Sequence, residues 1–312
     1  MKVTYGFGKV RTSRKKSVVV IGVFDGVHKG HQALINKAVG KAVRLKVPTV
    51  VLTFDPHPVH VLHPERNLSL IAPLAYRLKL IEELGVGETV VVQFTKSFAR
   101  LTPLKFIENY LIKYIHPREV FVGDDFRFGQ DRSGSIDDFM SAGRRLGFNV
   151  NHIKPVKGDA TKISSSDIRE LIGKGDLKKA AFLLGRPVSV MGRVVYGSSR
   201  GKALGFPTAN IIPQNEIIPP HGVYAVRVFY KNKILKGVAN IGTRPTFQDS
   251  SQLFIETHIF GFNESLYGRE IIIEFLSKIR DERRFDSSRQ LASQIKKDIS
   301  QAQKIHSHQP FN

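Results

Sequence analysis

The stretch Gly22-Val-Phe-Asp-Gly-Val-His28-Lys-Gly30-His31 constrains the fold more than any other part of the chain, because it joins two elements of different period. Before it runs the apolar Val18-Val-Val-Ile21. After it Ile35, Ala38, Val39 and Ala42 recur at i, i+3, i+4 and i+7, the spacing of an amphipathic helix. A strand that hands over to a helix sets His28 and His31 at a helix entrance, where unpaired N–H groups and partial positive charge suit phosphate. Gly22, Phe24 and Asp25 form the approach to it. Gly30 lacks Cβ, so a nucleotide can come close to the backbone between the two imidazoles. Both rings can donate hydrogen bonds to a triphosphate as charge builds during attack on the α-phosphorus. Read alone, the segment is equally two histidines on an ordinary loop. Its surroundings decide.

Residues 17 to about 156 alternate strand-like and helix-like segments. Strands are read at Ser17–Phe24, Val47–Phe54, Thr89–Phe94, Glu119–Gly123 and Asn149–Pro155. Helices are read at Pro73–Leu84, stopped by Gly85, and from the Thr102-Pro103 start to about Ile115. A third opens at Ser135, with Asp138 completing a capping-box-like pair. Regular alternation implies right-handed crossovers and a parallel sheet with helices on both faces, a Rossmann-like α/β domain. In such a sheet ligands bind at the carboxyl ends of the strands, where His28 and His31 fall. From about 157 to 187 the pattern is helical, as Ser166–Gly173 and Asp176–Leu184. From Val188 it turns to strands: Val188–Tyr196, Thr208–Ile212, Gly222–Tyr230, Lys233–Ile241, Phe254–Phe260 and Glu270–Leu276. Glycine and proline punctuate them, so an antiparallel β-barrel with a closing helix near Ser287–Gln303 is expected. The boundary falls near 184–188, giving domains 1–185 and 186–312.

A chain of 312 residues can bury two cores. No apolar run approaches transmembrane length, and Met1–Lys16 lacks the apolar stretch of a signal peptide. The absence of cysteine removes disulfide and thiolate chemistry and fits a reducing cytoplasm. A net charge of +21 favours anionic partners. The charge is scattered, however, with no basic helix and no aromatic-interleaved motif for RNA. A charge bias of the whole proteome is a plainer reading of this excess than a nucleic-acid role; the expected partners are small molecules, without nucleic acid or membrane, and the expected state is a monomer or weak homo-oligomer.

Ser164, Ser165 and Ser166 stand at a second helix entrance, with Arg169 one turn in, and form a second phosphate cradle. Taken alone, this is an N-cap beside a solvated arginine. Two segments at strand exits offer a place for a flat ring. Phe54-Asp-Pro56-His57-Pro58 ends one strand, and Asp125-Phe126-Arg-Phe128 ends another. Phe54, Phe126 and Phe128 can stack while Asp125 accepts hydrogen bonds; core packing is the plainer reading for any single one.

The densest polar and glycine cluster is Tyr196-Gly197-Ser-Ser-Arg-Gly201-Lys202-Ala-Leu-Gly205-Phe-Pro207-Thr208-Ala-Asn210. It is one residue short of a P-loop, lacks the hydroxyl after lysine and leads into a strand, which excludes that reading. A glycine-rich flap over ATP remains, with backbone N–H groups facing phosphates. Thr208 and Asn210, two apart on a strand, share a face and can both offer oxygens to Mg²⁺. Glu256 lies with Phe254 and His258 on one face of an apolar strand, either inside the barrel or outside it. If inside, it is placed to take the proton from a primary hydroxyl attacking the γ-phosphate, worth roughly 10²–10⁴ in rate.

Taken in order, GVFDGVHKGH, TFDPHP, VGDDFRFG and ISSSDIR resemble the FMN adenylyltransferase half of the prokaryotic bifunctional riboflavin kinase/FMN adenylyltransferase (FAD synthetase) family. GxxxGxxLGFPTAN, GVYAVRV, GVANIGTRPTF, IETHIF, LYGREI and IRDERRF resemble its riboflavin kinase half. The likeness runs over residues 17–303. It implies phosphorylation of riboflavin by ATP and Mg²⁺ to FMN in the second half, with Thr208 and Asn210 on the metal and Glu256 as base. Arg280, Arg283 and Phe285 would lie near the flavin there. The first half would join FMN to the AMP of ATP, giving FAD and pyrophosphate. Gly87 stands where many relatives carry an acid, and Ser166 where threonine is commoner; the hydroxyl is kept. Two other readings compete: a nucleotidyltransferase with a different acceptor, and a basic nucleic-acid-binding or regulatory protein on the same scaffold. The first leaves the barrel unexplained, the second the two phosphate cradles.

Overall fold

Every residue of the strand Ser17–Ile21 is buried, the pattern of a strand covered on both faces. It lies within a parallel sheet in a computed structural model that describes residues 1–10, 16–154, 157–158, 161–197, 201, 204–245 and 251–308. The sheet comprises β1 (Lys2–Tyr5), β2 (Ser17–Ile21), β3 (Thr49–Asp55), β4 (Glu88–Gln93), β5 (Pro117–Gly123) and β6 (Asn149–Ile153), in the order β1-β4-β3-β2-β5-β6. All five pairings are parallel. The order reverses between β2 and β5, which opens a crevice beyond the carboxyl ends of those two strands. The α/β expectation holds, with one strand more than expected. β1 was hidden in the basic start, where only Val3, Thr4 and Tyr5 favour a strand, and it pairs at the edge with β4.

Helix α1 (Lys29–Leu45) buries Ile35, Ala38 and Ala42 as its spacing predicts, with Leu34 beside them, while Val39 at the edge of that face is only half-buried. The helix opened by Thr102 runs through Pro103–Phe106 and continues as a π-helix over Ile107–Ile115. Ser135 and Asp138 form the expected reciprocal capping box on helix Ile136–Leu146. A short antiparallel hairpin, β7 (Lys157–Gly158) and β8 (Thr161–Lys162), precedes helix Ser165–Lys174.

By packing, the chain divides into two units. The first is Met1–Leu68 with Leu74–Ser165; the second is Ser69–Pro73 with the chain from Ser166 on. Helix Leu177–Leu184 packs on β9 (Val188–Val195) and on the last barrel strand. The change of texture near Val188 thus marks the first strand of the barrel, and the packing division comes earlier in the chain.

The second unit is a closed barrel of β9, β10 (Ala209–Pro213), β11 (Gly222–Tyr230), β12 (Lys233–Pro245), β13 (Ser251–Ile259) and β14 (Glu270–Arg280). All neighbours are antiparallel. Val194, Ile211, Ile255 and Ile241 lie side by side in register and are fully buried, so they fill the interior. Helix Ser288–His308 covers part of the outer surface, where Ala302 packs with Val223, Ala225 and Val238.

Candidate active sites

The first site stands at the crevice between β2 and β5. A cavity of about 380 Å³ opens there. Gly22, Phe24, His28, Gly30 and His31 line one side, Asp125 and Phe126 another, and Ser164 and Ser165 a third. Lys154 adds a cation to its wall. The loop from β2 needs unusual backbone: Phe24, Gly26 and Val27 have φ of 58°, 75° and 40°. Gly22 is required because a Cβ there would sit 2.7 Å from the Phe24 ring. His28 caps α1, its Nδ1 accepting the His31 backbone N–H at 3.4 Å. An accepting Nδ1 leaves the proton of the neutral ring on Nε2. The two imidazoles stack at 3.6 Å and 18°, with the Phe24 ring edge-on to His31 at 5.3 Å. Gly30 serves this stack too, since a Cβ would lie 3.1 Å from the His28 ring. Ser165 Oγ donates to the carbonyl of Asp25 at 3.1 Å, fixing the helix entrance against the β2 loop.

His31 is held neutral. Burial, the His28 ring and the Arg77 guanidinium all push its pKa well below the ordinary 6.5. Its Nδ1 is buried with no hydrogen-bond partner among the described residues. A neutral, under-satisfied imidazole on the wall of a cavity can donate or accept toward a phosphate group without first shedding a partner.

Other expected residues lie elsewhere. Asp25 is buried, and its carbonyl takes the Ser165 bond. Phe54 packs edge-on to Phe94 at 5.8 Å, and His57 caps helix Pro58–Leu62 by accepting from Val59 N–H. With Pro56 and Pro58 they stand at the carboxyl end of β3. Phe128 is buried against Phe106, Phe126 and Phe139, the plainer of its two readings. Ser166 and Arg169 belong to the second unit, where Arg169 Nε donates to the carbonyl of Ser69 at 2.8 Å.

The second candidate site is on the outer surface of the barrel, so the interior position on which the base reading of Glu256 was conditioned does not hold, and that reading rests instead on the row Glu256 forms with Asn210 and Asn240. Asn210 on β10 stands opposite Glu256 on β13, and Glu256 opposite Asn240 on β12. Each precedes or follows an interior isoleucine, so all three project outward. A carboxylate inside would have displaced that apolar packing. The described part of the glycine cluster folds over this row. A Cβ on Gly197 would lie 2.1 Å from Asn210 Nδ2, and one on Gly201 would lie 2.5 Å from the Phe206 carbonyl and 3.1 Å from Thr208 Oγ1. Gly205 takes a φ of 85° in the same turn. The Pro207 carbonyl is 2.8 Å from His258 Nδ1. Lys202 lies outside the described residues.

Asn210 is buried, and its Oδ1 has no partner among the described residues. An orphaned oxygen two residues from the Thr208 hydroxyl suits a hard cation that keeps most of its water and phosphate ligands. Asn240 Nδ2 donates to Glu282 Oε1 at 3.3 Å. Arg280 makes a forked pair with Asp298 of the C-terminal helix, and Arg280 and Arg283 stand over the Phe285 ring at 5.7 and 4.9 Å.

Arg77 was missed from the sequence. It is on helix Leu74–Glu83, fully buried, and donates to the carbonyls of Val23 and Phe54. The available signal was a cation four residues before Ile81, on the apolar face of its helix.

A family model described as FAD synthetase matches residues 10–167, and one described as riboflavin kinase matches residues 184–306. The bifunctional riboflavin kinase/FMN adenylyltransferase of Bacillus subtilis is 38% identical over 96% of this chain and 96% of its own length. That of Buchnera aphidicola subsp. Acyrthosiphon pisum is 36% identical over 97% and 98%. A crystal structure from Streptococcus pneumoniae, described as a macrolide-efflux protein, is 33% identical with a TM-score of 0.85, covering 97% of this chain and 99% of that one. Efflux is said of that protein; among the described residues here no helix is long and apolar enough to cross a membrane. With both matches in tandem, each over the unit whose geometry suits it, the chain belongs to the bifunctional riboflavin kinase/FMN adenylyltransferase family.

Proposed function

We propose that the two reactions of this family are carried by the residues of the two sites just described, adenylyl transfer in residues 1–185 and phosphorylation in residues 186–312. The chain phosphorylates riboflavin with ATP to give FMN, then joins FMN to the AMP of ATP, releasing pyrophosphate and forming FAD. The observation that carries the reading is the stacked His28–His31 pair on the wall of the cavity between β2 and β5.

In adenylyl transfer the FMN phosphate is already an anion and needs no base. Catalysis is placement and charge stabilisation. His28 and His31 donate to the α-phosphate as its charge rises. Gly22, Phe24, Asp25 and Gly30 shape the phosphate loop, and Ser164, Ser165, Ser166 and Arg169 hold the polyphosphate. Asp125, Phe126 and Phe128, with Phe54, Pro56, His57 and Pro58, serve the flavin.

In phosphorylation Glu256 accepts the proton of the ribityl 5′-hydroxyl as its oxygen attacks the γ-phosphorus. Gly197, Gly201, Lys202, Gly205 and Pro207 form the flap over ATP, and Arg280, Arg283 and Phe285 meet the flavin. Thr208 and Asn210 are the protein ligands for Mg²⁺, which when bound offsets phosphate charge; the unpartnered Asn210 oxygen supports this choice. Small molecules are the only partners in this reading, without nucleic acid or membrane. The chain acts as a monomer or weak homo-oligomer in the cytoplasm, in keeping with its lack of cysteine.

Incubation with riboflavin, ATP and Mg²⁺, analysed for FMN and FAD, tests the assignment. Glu256→Gln abolishes FMN formation but still converts supplied FMN to FAD. His31→Ala lets FMN accumulate, with adenylyl transfer slowed by about 10²–10³, the usual loss for one oxyanion donor. A folded variant of either kind that loses both activities overturns the two-site assignment.

A further inference from the structure

We infer that Arg77 is a positioning residue for adenylyl transfer, a buried fork that ties the phosphate loop after β2 to the segment after β3; this rests on the adenylyl-transfer reading of the first site. Arg77 reaches from helix Leu74–Glu83 with its side chain 1% exposed. Nη1 donates to the Val23 carbonyl at 3.0 Å and Nη2 to the Phe54 carbonyl at 3.2 Å. Those carbonyls stand at the exits of neighbouring strands, since β2 and β3 pair directly. Nη2 is also 3.6 Å from Asp55 Oδ1, and the Asp25 carboxylate lies close enough to favour the cation.

Several features indicate a device rather than a stray charge. Burying a guanidinium is costly, and its Nε has no partner among the described residues, so a plain core position would have been cheaper as leucine or methionine. The carbonyl it grips precedes Phe24, the first of the left-handed residues in the β2 loop. Such backbone persists only where neighbours over-determine it. Here two donors converge on Val23, for Thr53 Oγ1 also reaches its carbonyl at 3.0 Å. A planar fork can bridge carbonyls on adjacent strands, which lie ~4.8 Å apart; a lysine ammonium is a single point. Arg77 therefore fixes the His28–His31 loop against the Phe54–Pro58 segment without touching either substrate.

The test uses the intact chain, with riboflavin phosphorylation as an internal control. Arg77→Lys keeps the charge and removes the fork; Arg77→Gln removes both. Both are expected to lower kcat for FMN adenylylation by about 10²-fold, the cost of a misplaced reacting group, leaving KM for ATP and the kinase kinetics near wild type. A wild-type kcat in Arg77→Lys overturns the inference, as does a loss confined to KM. Should both variants fail to fold, Thr53→Val removes the second anchor of Val23 with nearly the same shape. It is expected to lower adenylylation kcat several-fold with an unchanged melting temperature, and no loss there overturns the inference. His31→Ala is run beside them. If it is also fully active, the adenylyl-transfer reading has failed; if it alone is inactive, only the role of Arg77 has.

Discussion

His31 is pushed well below its ordinary pKa, and the cause is local. Its ring is half-buried with Nδ1 shut off from solvent, stacked on a second imidazole and close to the Arg77 cation, all of which disfavour a proton. In the unfolded chain the same side chain titrates near 6.5. Below that pH the unfolded state binds a proton that the native state refuses, so native stability is full above about 6.5 and falls as pH drops toward the native value. Urea unfolding followed by circular dichroism at about pH 7.5 and about pH 5.5 reads this. His31→Asn is expected to flatten the difference relative to wild type, and an equal acid loss in both would reject it. The His28–His31 pair was legible because its spacing fixes a helix entrance. Arg77 was not legible as an anchor, since which carbonyls a buried arginine meets depends on the pairing of distant strands.

At the scale of elements, Gly197 and Gly201, which precede β10, are held in close contact with that strand's start. With Asn210 Nδ2 lying 2.1 Å from where a Cβ would stand, Gly197→Ala must push its own backbone or the asparagine aside. We expect kcat for FMN formation to fall by about 10²-fold, with adenylylation of supplied FMN unchanged and little movement in melting temperature. Steady-state rates of the two reactions check it. The barrel strands were legible to within a few residues because apolar alternation and glycine or proline breaks mark them; Gly222–Tyr230 is found as read. Which face Glu256 occupies was not, because alternation alone is symmetric. Only the register, which places Ile255 beside Ile211 and Ile241, tells interior from exterior. β1 escaped for the opposite reason: four residues at a sheet edge carry too little pattern.

At the scale of the whole molecule, each unit holds its own core, and His31 belongs to the first unit while Glu256 belongs to the second, so the two proposed chemistries are expected to be separable in trans. An equimolar mixture of Glu256→Gln and His31→Ala chains should make FAD from riboflavin, with FMN diffusing between molecules; a time course with a lag in FAD checks it. No FAD from the mixture would mean that FMN never leaves the chain that forms it. The start of the barrel was legible from the change of texture near Val188. The path of the backbone was not. Ser69–Pro73 belongs to the second unit although both its flanks belong to the first. There the Ile71 carbonyl accepts from Asn215 Nδ2 at 2.6 Å, and Leu70 N–H donates to Glu216 at 2.8 Å. A gene cut anywhere after Ser165 would deprive the barrel of this strap and leave a buried asparagine amide short of an acceptor. Any split of this chain must therefore carry a five-residue loan across the junction.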